Sequence, residues 1–362
     1  MTPKDRQQLD FHVRAIAEIL HSDAQTQSLP MDSLKDIEQT VRDQLQAHVS
    51  PGLGKFFIQT NCPEAGERER RIVSILGELW LSRQQAQTLS VPPRVKHSPY
   101  LENCCLRMCA KASYAQAEAD VAMLTGVRVS AKTQERMVKR SALPEPNPEK
   151  PVHELTLDGG MVRVRTPKGE PSAWRQYHGI RVNGDGIGMA WYKDPPALLA
   201  WVTTLSLMPI VYLLGDGHCG IWSLFEQMEI DVPTDEVLDW YHLKENLYKV
   251  EATEAVLESL SRQLWEGQLQ PVLTALSQLE NDSARRFSAY LTGHAERIPN
   301  YRYYHMEGVP IGSGPVESWV KQIDARLQVT GAQGNEKSLP HMLKLRSAYL
   351  NHQLDYFSSA SG

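Results

Sequence analysis

The sequence lacks any long uninterrupted run of apolar residues. A helix needs roughly 18 to 20 such residues to span a bilayer, and no apolar stretch of this 362-residue chain approaches that length. The first twenty residues also lack the apolar core and cleavage site of a secretory signal peptide. We therefore expect a cytoplasmic protein with no membrane contact.

Paired cysteines and metal-binding clusters are also scarce. The five cysteines are odd in number, which argues against a disulfide framework in a chain of this length. Three of them lie in the segment CCLRMC at 104–109, and no second cluster supplies the remaining ligands of a zinc site. We expect these three to be small buried groups on one face of a helix. A zinc site is the less favoured alternative.

A net positive charge is missing as well, because the chain carries a formal charge of −5. That balance argues against a protein that coats nucleic acid with its whole surface. The charge is nevertheless uneven, since residues 94–140 contain nine Lys or Arg against four Asp or Glu. A basic block in an acidic chain indicates a surface that faces an anionic partner. A solvated helical face is the alternative that charge alone leaves open.

Apolar spacing indicates two regions before a proline-rich linker. Residues 1–93 are helical in pattern to about residue 50, after which KFFIQT and RRIVSILGELWLSR predict short strands around a Glu/Arg-rich turn. Residues 94–150 return to helix and end in the linker. Within them, Gly126 ends one predicted helix and Ser130 caps the next. This pattern is typical of a DNA-binding helix-turn-helix, and equally of any helical hairpin.

Residues 151–362 alternate strands with helices, which predicts an α/β domain. VHELTLDGGMVRVRT predicts two strands around a Gly-Gly turn, and HGIRVNGDGIGMAWY predicts another pair whose turn includes Asp185. An apolar helix, the buried strand IVYLLGDG, a further helix and the short strand VLDWYH follow. An all-helical insertion at about 244–305 then precedes a last helix that begins near PIGSGPVESW.

Three acids lie beside glycines at special positions in these predicted elements. Asp158 closes the first strand of the domain, Asp216 closes the buried strand, and Glu317 lies one turn into the late helix. Each acid alone is more often a turn or helix-dipole residue. If the three converge at one end of a sheet, however, they repel one another unless a cation compensates. Oxygen ligands suit Mg²⁺ or Mn²⁺, and two such ions promote phosphodiester cleavage.

The order of these acids resembles the catalytic core of DDE transposases. Within that group, the chain is similar to bacterial insertion-sequence transposases related to the Mutator-like superfamily. The likeness covers about 150–350 well and 99–140 loosely, and it is carried by LTLDGGMV, LLGDGHCGIW with DWYHLKENL, and GSGPVESWVKQIDARL. It implies that Asp158, Asp216 and Glu317 are catalytic residues and metal ligands.

The family also carries an Asp-x-x-His pair, which Asp239 and His242 match in this sequence. The resemblance implies that His242 positions the scissile phosphate or a base, and a strand-end histidine that is merely hydrogen-bonded to Asp239 is the alternative. The family's N-terminal zinc ribbon is not matched, because QTNCPEAGERERR keeps a single cysteine. The Gly-x-x-Trp segment that often follows the glutamate is also missing, because GAQGNEKSLPHM contains no Trp.

The resemblance implies a ribonuclease-H-like mixed sheet flanked by helices, with an all-helical insertion and a mainly helical N-terminal DNA-binding region. It implies a Mg²⁺-dependent (or Mn²⁺-dependent) transposase that cleaves element ends and transfers the strands into target DNA. We would then expect a nucleoid-associated homo-oligomer bound to terminal inverted repeats and target DNA. The expected DNA-binding residues are Lys321, Arg128, Lys132, Arg136, Lys139 and Arg140. A resolvase-like, structure-selective nuclease and a domesticated, non-catalytic DNA-binding protein remain alternatives.

Overall fold

The computed structural model describes residues 1–63, 69–184, 186–328 and 334–355. The chain divides into two compact units, Met1–Met137 and Val138–Gly362. The boundaries near residues 93 and 150 that the sequence indicates stay predictions. Within the described ranges, no helix combines the length and the apolar character that a membrane span requires.

The first unit is mainly helical, with one small sheet. Strands β1 (Glu69–Ser74) and β2 (Gly77–Ser82) pair as an antiparallel hairpin. Ser33 caps the second helix as predicted, because its hydroxyl accepts a hydrogen bond from the Asp36 N–H at 3.2 Å. The helices are α1 (Pro3–Thr26), α2 (Leu34–Gln44), α3 (Ser50–Asn61), α4 (Arg83–Thr88), α5 (Pro99–Lys111), α6 (Tyr114–Thr125) and α7 (Ala131–Arg140), the last of which ends in the second unit.

The strand predicted for KFFIQT is wrong, because these residues lie inside α3. Pro51 lies at the start of this helix, which directly follows a π-helical turn at Leu45–Val49. Gly54 packs so closely on the hairpin that a Cβ there would lie 2.8 Å from Leu79 of β2. The segment is helical although its Phe and Ile content favours a strand.

Two of the three cysteines of α5 are buried inside the first unit, and Cys104 is half-buried. Cys105 and Cys109 are fully inaccessible, and the Cys109 thiol lies 3.1 Å from Oε1 of Gln134 on α7. Burial raises the pKa of Cys105 to about 12, so it stays a neutral thiol. Among the described residues no metal-ligand cluster includes a cysteine. The prediction of small buried groups is confirmed for these two residues.

The second unit contains a mixed five-stranded sheet with helices packed on it, in the order β5-β4-β3-β6-β7. The β3–β4 and β4–β5 pairs are antiparallel. The β3–β6 and β6–β7 pairs are parallel. The strands are β3 (Val152–Val164), β4 (Ala173–Val182), β5 (Gly188–Trp191), β6 (Leu207–Gly215) and β7 (Thr234–Leu238). Helices α8 (Pro195–Val202) and α9 (Cys219–Glu226) connect β5 to β6 and β6 to β7.

The Gly-Gly turn predicted after Asp158 is wrong, because β3 is one continuous strand of 13 residues. Gly160 pairs with Tyr177 of β4 instead of turning the chain. A Cβ on Gly160 would lie 2.2 Å from the Tyr177 ring, so the glycine permits a close approach between strands. Asp158 therefore lies inside β3 and does not end it.

The hairpin predicted for HGIRVNGDGIGMAWY is confirmed as the β4–β5 connection. Asn183 and Gly184 adopt the left-handed conformation, with φ of 52° and 64°, which Asn and Gly tolerate better than other residues. Asp185, which was predicted to belong to the turn, lies outside the described residues.

A block of helices separates β7 from the last helices, in the region where an insertion was predicted. Its leucines and aromatic residues pack into the same core as one face of the sheet. The strand predicted for VLDWYH is wrong beyond Leu238, because Asp239 caps a helix by accepting the His242 N–H at 2.8 Å. The helices are α10 (Trp240–Leu247), α11 (Glu254–Trp265), α12 (Leu269–Ser277), α13 (Asp282–Gly293), α14 (Tyr301–Met306), α15 (Gly314–Leu327) and α16 (Leu339–Leu350).

Candidate metal centre

Asp158 and Asp216 occupy equivalent positions on neighbouring parallel strands. The last register pair between β3 and β6 is Thr156 with Leu214, and each aspartate lies two residues beyond it. Hydrogen-bonded strands lie about 4.8 Å apart, so the two backbones are close at this edge of the sheet. Asp158 accepts a hydrogen bond from the Gly159 N–H at 2.6 Å, and Asp216 accepts one from the His218 N–H at 2.8 Å.

Helix α15 brings Glu317 to this region. The helix packs across β3 and β4. Gly179, which pairs with Asp158, leaves room for it: a Cβ there would lie 3.0 Å from Val320 and 3.2 Å from Trp319. Glu317 lies in the first turn, where the partial positive charge of the helix N-terminus favours an acid.

Asp239, His242 and Glu317 form a compact cluster. One potential ligand atom from each lies within 4.8 Å of the other two. Nδ1 of His242 is 3.5 Å from Oδ1 of Asp239 and 3.6 Å from Oε1 of Glu317. His242 lies in the first turn of α10, so the strand-end position predicted for it is wrong.

Ser313 joins the two acids of this cluster, and no motif in the sequence identified it. Both its backbone N–H and its hydroxyl donate to Oδ2 of Asp239, the hydroxyl at 2.6 Å. The same hydroxyl oxygen is 3.0 Å from Oε1 of Glu317. A hydroxyl has one proton and can donate to only one of these carboxylates. The only available signal was a serine between two glycines immediately before a helix.

The acids interact electrostatically as one site. Burial raises the pKa of Asp158 to about 6, and the negative charges of Asp216 and Glu317 add to this rise. The Asp239 carboxylate raises the pKa of His242 to about 9, and Glu317 and Asp216 contribute to it. His242 is therefore positively charged at neutral pH and offsets part of the negative charge.

The three acids of the predicted triad interact electrostatically, and within the described residues they do not form one tight ligand set. In the described ranges, the group whose ligand atoms all lie within 4.8 Å of one another contains Asp239, His242 and Glu317, and neither Asp158 nor Asp216. Two metal ions about 4 Å apart would allow their ligand atoms to lie farther from one another than a single ion does.

The donor chemistry fits a hard divalent cation. Both oxygens of Asp239 are engaged by hydrogen bonds from the His242 N–H and Ser313, so Asp239 orients its neighbours. Nδ1 of His242 is buried and makes no hydrogen bond within the described residues. The carboxylates of Asp158, Asp216 and Glu317 would supply an oxygen-only set, which suits Mg²⁺ or Mn²⁺.

Lys321 lies at the rim of the cluster. Its Nζ is 3.8 Å from Oε2 of Glu317, as expected for residues one helical turn apart. The side chain is 78% exposed, so the ammonium group is accessible to a ligand from solvent. Its role in DNA binding stays a prediction.

The predicted basic helix exists as α7, and Gly126 and Ser130 bound the turn before it as expected. Gly126 ends α6 with φ of 74°, and the Ser130 hydroxyl accepts the Thr133 N–H at 3.3 Å. Two of the cations pair with nearby acids, Arg128 with Glu118 and Lys132 with Glu135, both at 2.8 Å. The exposed cations on α7 are Lys132, Arg136, Lys139 and Arg140. DNA binding by this surface stays a prediction.

Replacing Asp158 by asparagine should stabilise the metal-free protein at pH 7 by about 1–3 kcal/mol. The folded protein holds the Asp158 proton up to about pH 6, whereas the ordinary pKa is 3.8. Wild-type stability is therefore lost as pH rises from about 4 to 6, and asparagine removes that loss. The free energy of unfolding, measured with urea in EDTA, should show the gain at pH 7 and none near pH 4. An equal effect at both pH values would contradict the prediction.

No protein-family model matches this chain, and no curated protein sequence is significantly similar to it. The family likeness therefore rests on the sequence motifs alone.

Proposed function

We propose that this protein is a Mg²⁺-dependent DNA transposase of the DDE type. The observation that supports this best is the position of Asp158 and Asp216 at the same edge of adjacent parallel strands, with Glu317 acting electrostatically on Asp158. The two strand-borne acids and the helix-borne acid come from distant parts of the chain. The electrostatic interaction of Asp158 with Asp216 and Glu317 supports a shared metal site.

A ribonuclease-H-like catalytic domain is part of this proposal. Three strands linked as antiparallel neighbours, followed by two strands added in parallel on the other side, agree with such a fold. The helices between β7 and α15 correspond to the expected helical insertion. The fold supplies a rigid frame, because Asp158 lies within β3 and Asp216 directly follows β6.

Asp158, Asp216 and Glu317 would hold the metal ions. Bound Mg²⁺ would supply an activated water or 3′-hydroxyl and stabilise the oxygen that leaves the phosphorus. Hydrolysis forms a new bond between water oxygen and phosphorus and breaks the bond to the 3′ oxygen. The released 3′-hydroxyl then attacks a phosphorus atom of the target DNA and displaces another 3′ oxygen.

The chain's own groups orient this chemistry. Asp239 and Ser313 fix the start of α15, and with it the direction of Glu317. His242 holds a positive charge beside the acids, where it would attract the scissile phosphate. Lys321 would contact a neighbouring phosphate from the rim. The basic surface of α7 would bind the inverted repeats in a homo-oligomer associated with the nucleoid.

The proposal is tested with DNA that carries the sequences flanking the gene. With Mg²⁺, we expect strand cleavage at the element ends followed by joining to a second DNA molecule, and EDTA should abolish both. Gel electrophoresis of end-labelled DNA measures the two products. Cleavage of branched DNA without joining would replace the proposal by a resolvase-like nuclease. DNA binding without any metal-dependent cleavage would replace it by a non-catalytic DNA-binding protein.

A further inference from the structure

A shallow pocket of about 280 Å³ lies between α10 and α13 in the helical insertion. Its polar lining comes from Asn246 and Lys249 at the end of α10 and from Ser283, Arg286 and Tyr290 on α13. The residues that line it include two cations and no carboxylate. Such a lining is suited to an anion.

The two cations of the pocket are exposed, and the nearby Asp282 interacts electrostatically with Arg286. Lys249 donates a hydrogen bond to Oδ1 of Asn246 at 2.9 Å. Within the described ranges, neither Lys249 nor Arg286 forms an ion pair with an acid, whereas the adjacent Arg285 pairs with Asp282. Two like charges that face one hollow raise each other's free energy, and a bound anion relieves that repulsion.

The pocket and the acid cluster of Asp239, His242 and Glu317 both include residues of α10 or of the turn that ends it. His242, Asn246 and Lys249 follow one another at spacings of four and three residues, so they lie along one side of the helix and of the turn that ends it. Seven residues of helix correspond to about 10 Å. A DNA strand held at the acid cluster would therefore reach the pocket within a few nucleotides.

Tyr290 forms a second connection between the pocket and the acids. A Cβ on Gly217, next to Asp216, would lie 2.5 Å from the Tyr290 hydroxyl, so this side chain packs directly on the loop that carries the acid. Burial raises the pKa of Tyr290 to about 12, and the charges of Asp216 and Asp239 contribute to the rise. The hydroxyl is therefore a neutral donor at the inner end of the pocket.

We propose that this pocket binds a backbone phosphate of the DNA strand that enters the metal centre. The inference rests on the proposed function. The Arg286 guanidinium is suited to two-pronged hydrogen bonding of a phosphate, and the Lys249 ammonium adds a second charge-assisted contact. Both side chains are exposed, so each can adjust to the strand without disturbing the core.

The test compares DNA affinity at several salt concentrations in EDTA, by fluorescence anisotropy of a labelled duplex. Replacing both cations, in the variant Lys249→Gln/Arg286→Gln, should reduce the slope of log affinity against log salt by about 1 to 2. Affinity at the lowest salt should fall about 5- to 30-fold. The charge-preserving variant Arg286→Lys should retain most of the slope.

The matched control is Arg285→Gln, one residue away on the same helix. Arg285 is already paired with Asp282 and lies outside the pocket lining, so this variant should bind DNA like the wild type. If the double variant and the control have the same affinity and slope, the proposal is overturned. Thermal unfolding of each variant checks that it is folded.

A control with inorganic phosphate shows whether the pocket binds a small free anion or the phosphate of a DNA backbone. If free phosphate at millimolar concentration stabilises the wild type but not the double variant, and DNA affinity is equal in both, the pocket takes a small anion and the DNA proposal fails. All binding is measured without metal, so the result is separate from catalysis. A wild type that binds DNA through the pocket but never cleaves it would overturn the proposed function and leave this inference standing.

Discussion

Replacing Asp216 by asparagine should abolish Mg²⁺-dependent DNA cleavage, with a fall in rate of at least about 1,000-fold, or about 4 kcal/mol in the activation free energy. Asparagine preserves the shape of the side chain and can still accept the His218 N–H, which Asp216 binds at 2.8 Å. It removes the negative charge that a metal ligand at this edge of the sheet must supply. Single-turnover cleavage of end-labelled DNA measures the rate.

Asp194→Asn is the matched control for this substitution. Asp194 caps α8 by accepting the Ala197 N–H at 3.2 Å, and asparagine caps helices equally well. This variant should cleave at the wild-type rate, although it loses the same charge. DNA binding in EDTA should be retained in both variants. An Asp216→Asn protein that keeps more than a tenth of the wild-type rate would exclude Asp216 as a ligand.

Replacing Gly160 by alanine should lower the free energy of unfolding by about 2–4 kcal/mol. The added methyl group would lie 2.2 Å from the Tyr177 ring. The ring has little freedom to move away, because its hydroxyl donates to Oδ1 of Asp324 on α15 at 2.9 Å. Urea denaturation gives the change in free energy.

Gly159→Ala provides the comparison within the same strand. A Cβ at Gly159 would lie 2.7 Å from Nε2 of Gln176, which is the far end of a flexible side chain and can rotate aside. We expect a loss below about 1 kcal/mol for this variant. Equal losses for the two alanine variants would contradict the close packing of Tyr177 on Gly160.

Much of the second unit could be predicted from local sequence patterns. An apolar run predicted the buried strand before Asp216. Pro315, at a permitted first-turn position, marked the start of the late helix that carries Glu317. The Gly-Gly pair after Asp158 was misjudged, since glycine permits a turn and a close strand contact alike. Only the position of Tyr177 on the neighbouring strand distinguishes the two.

The candidate site was predicted less completely than the sheet. The order of the acids indicated Asp158, Asp216 and Glu317, and the role of Asp239 was left open. Ser313 contacts Asp239 across 74 residues of chain, and periodicity carries no information about contacts at that separation. The clustering of Asp239, His242 and Glu317 likewise depends on how α10 and α15 come together.

The distance along the chain between the acids has a consequence for biosynthesis. Glu317 is made 159 residues after Asp158. At ribosomal speeds of about 5–20 residues per second, that interval lasts roughly 8 to 30 seconds. For the last 101 residues of this interval, the nascent polypeptide holds both aspartates without the helix that completes the cluster. On the proposed function, a newly made copy would therefore leave nearby DNA uncut until α15 has emerged.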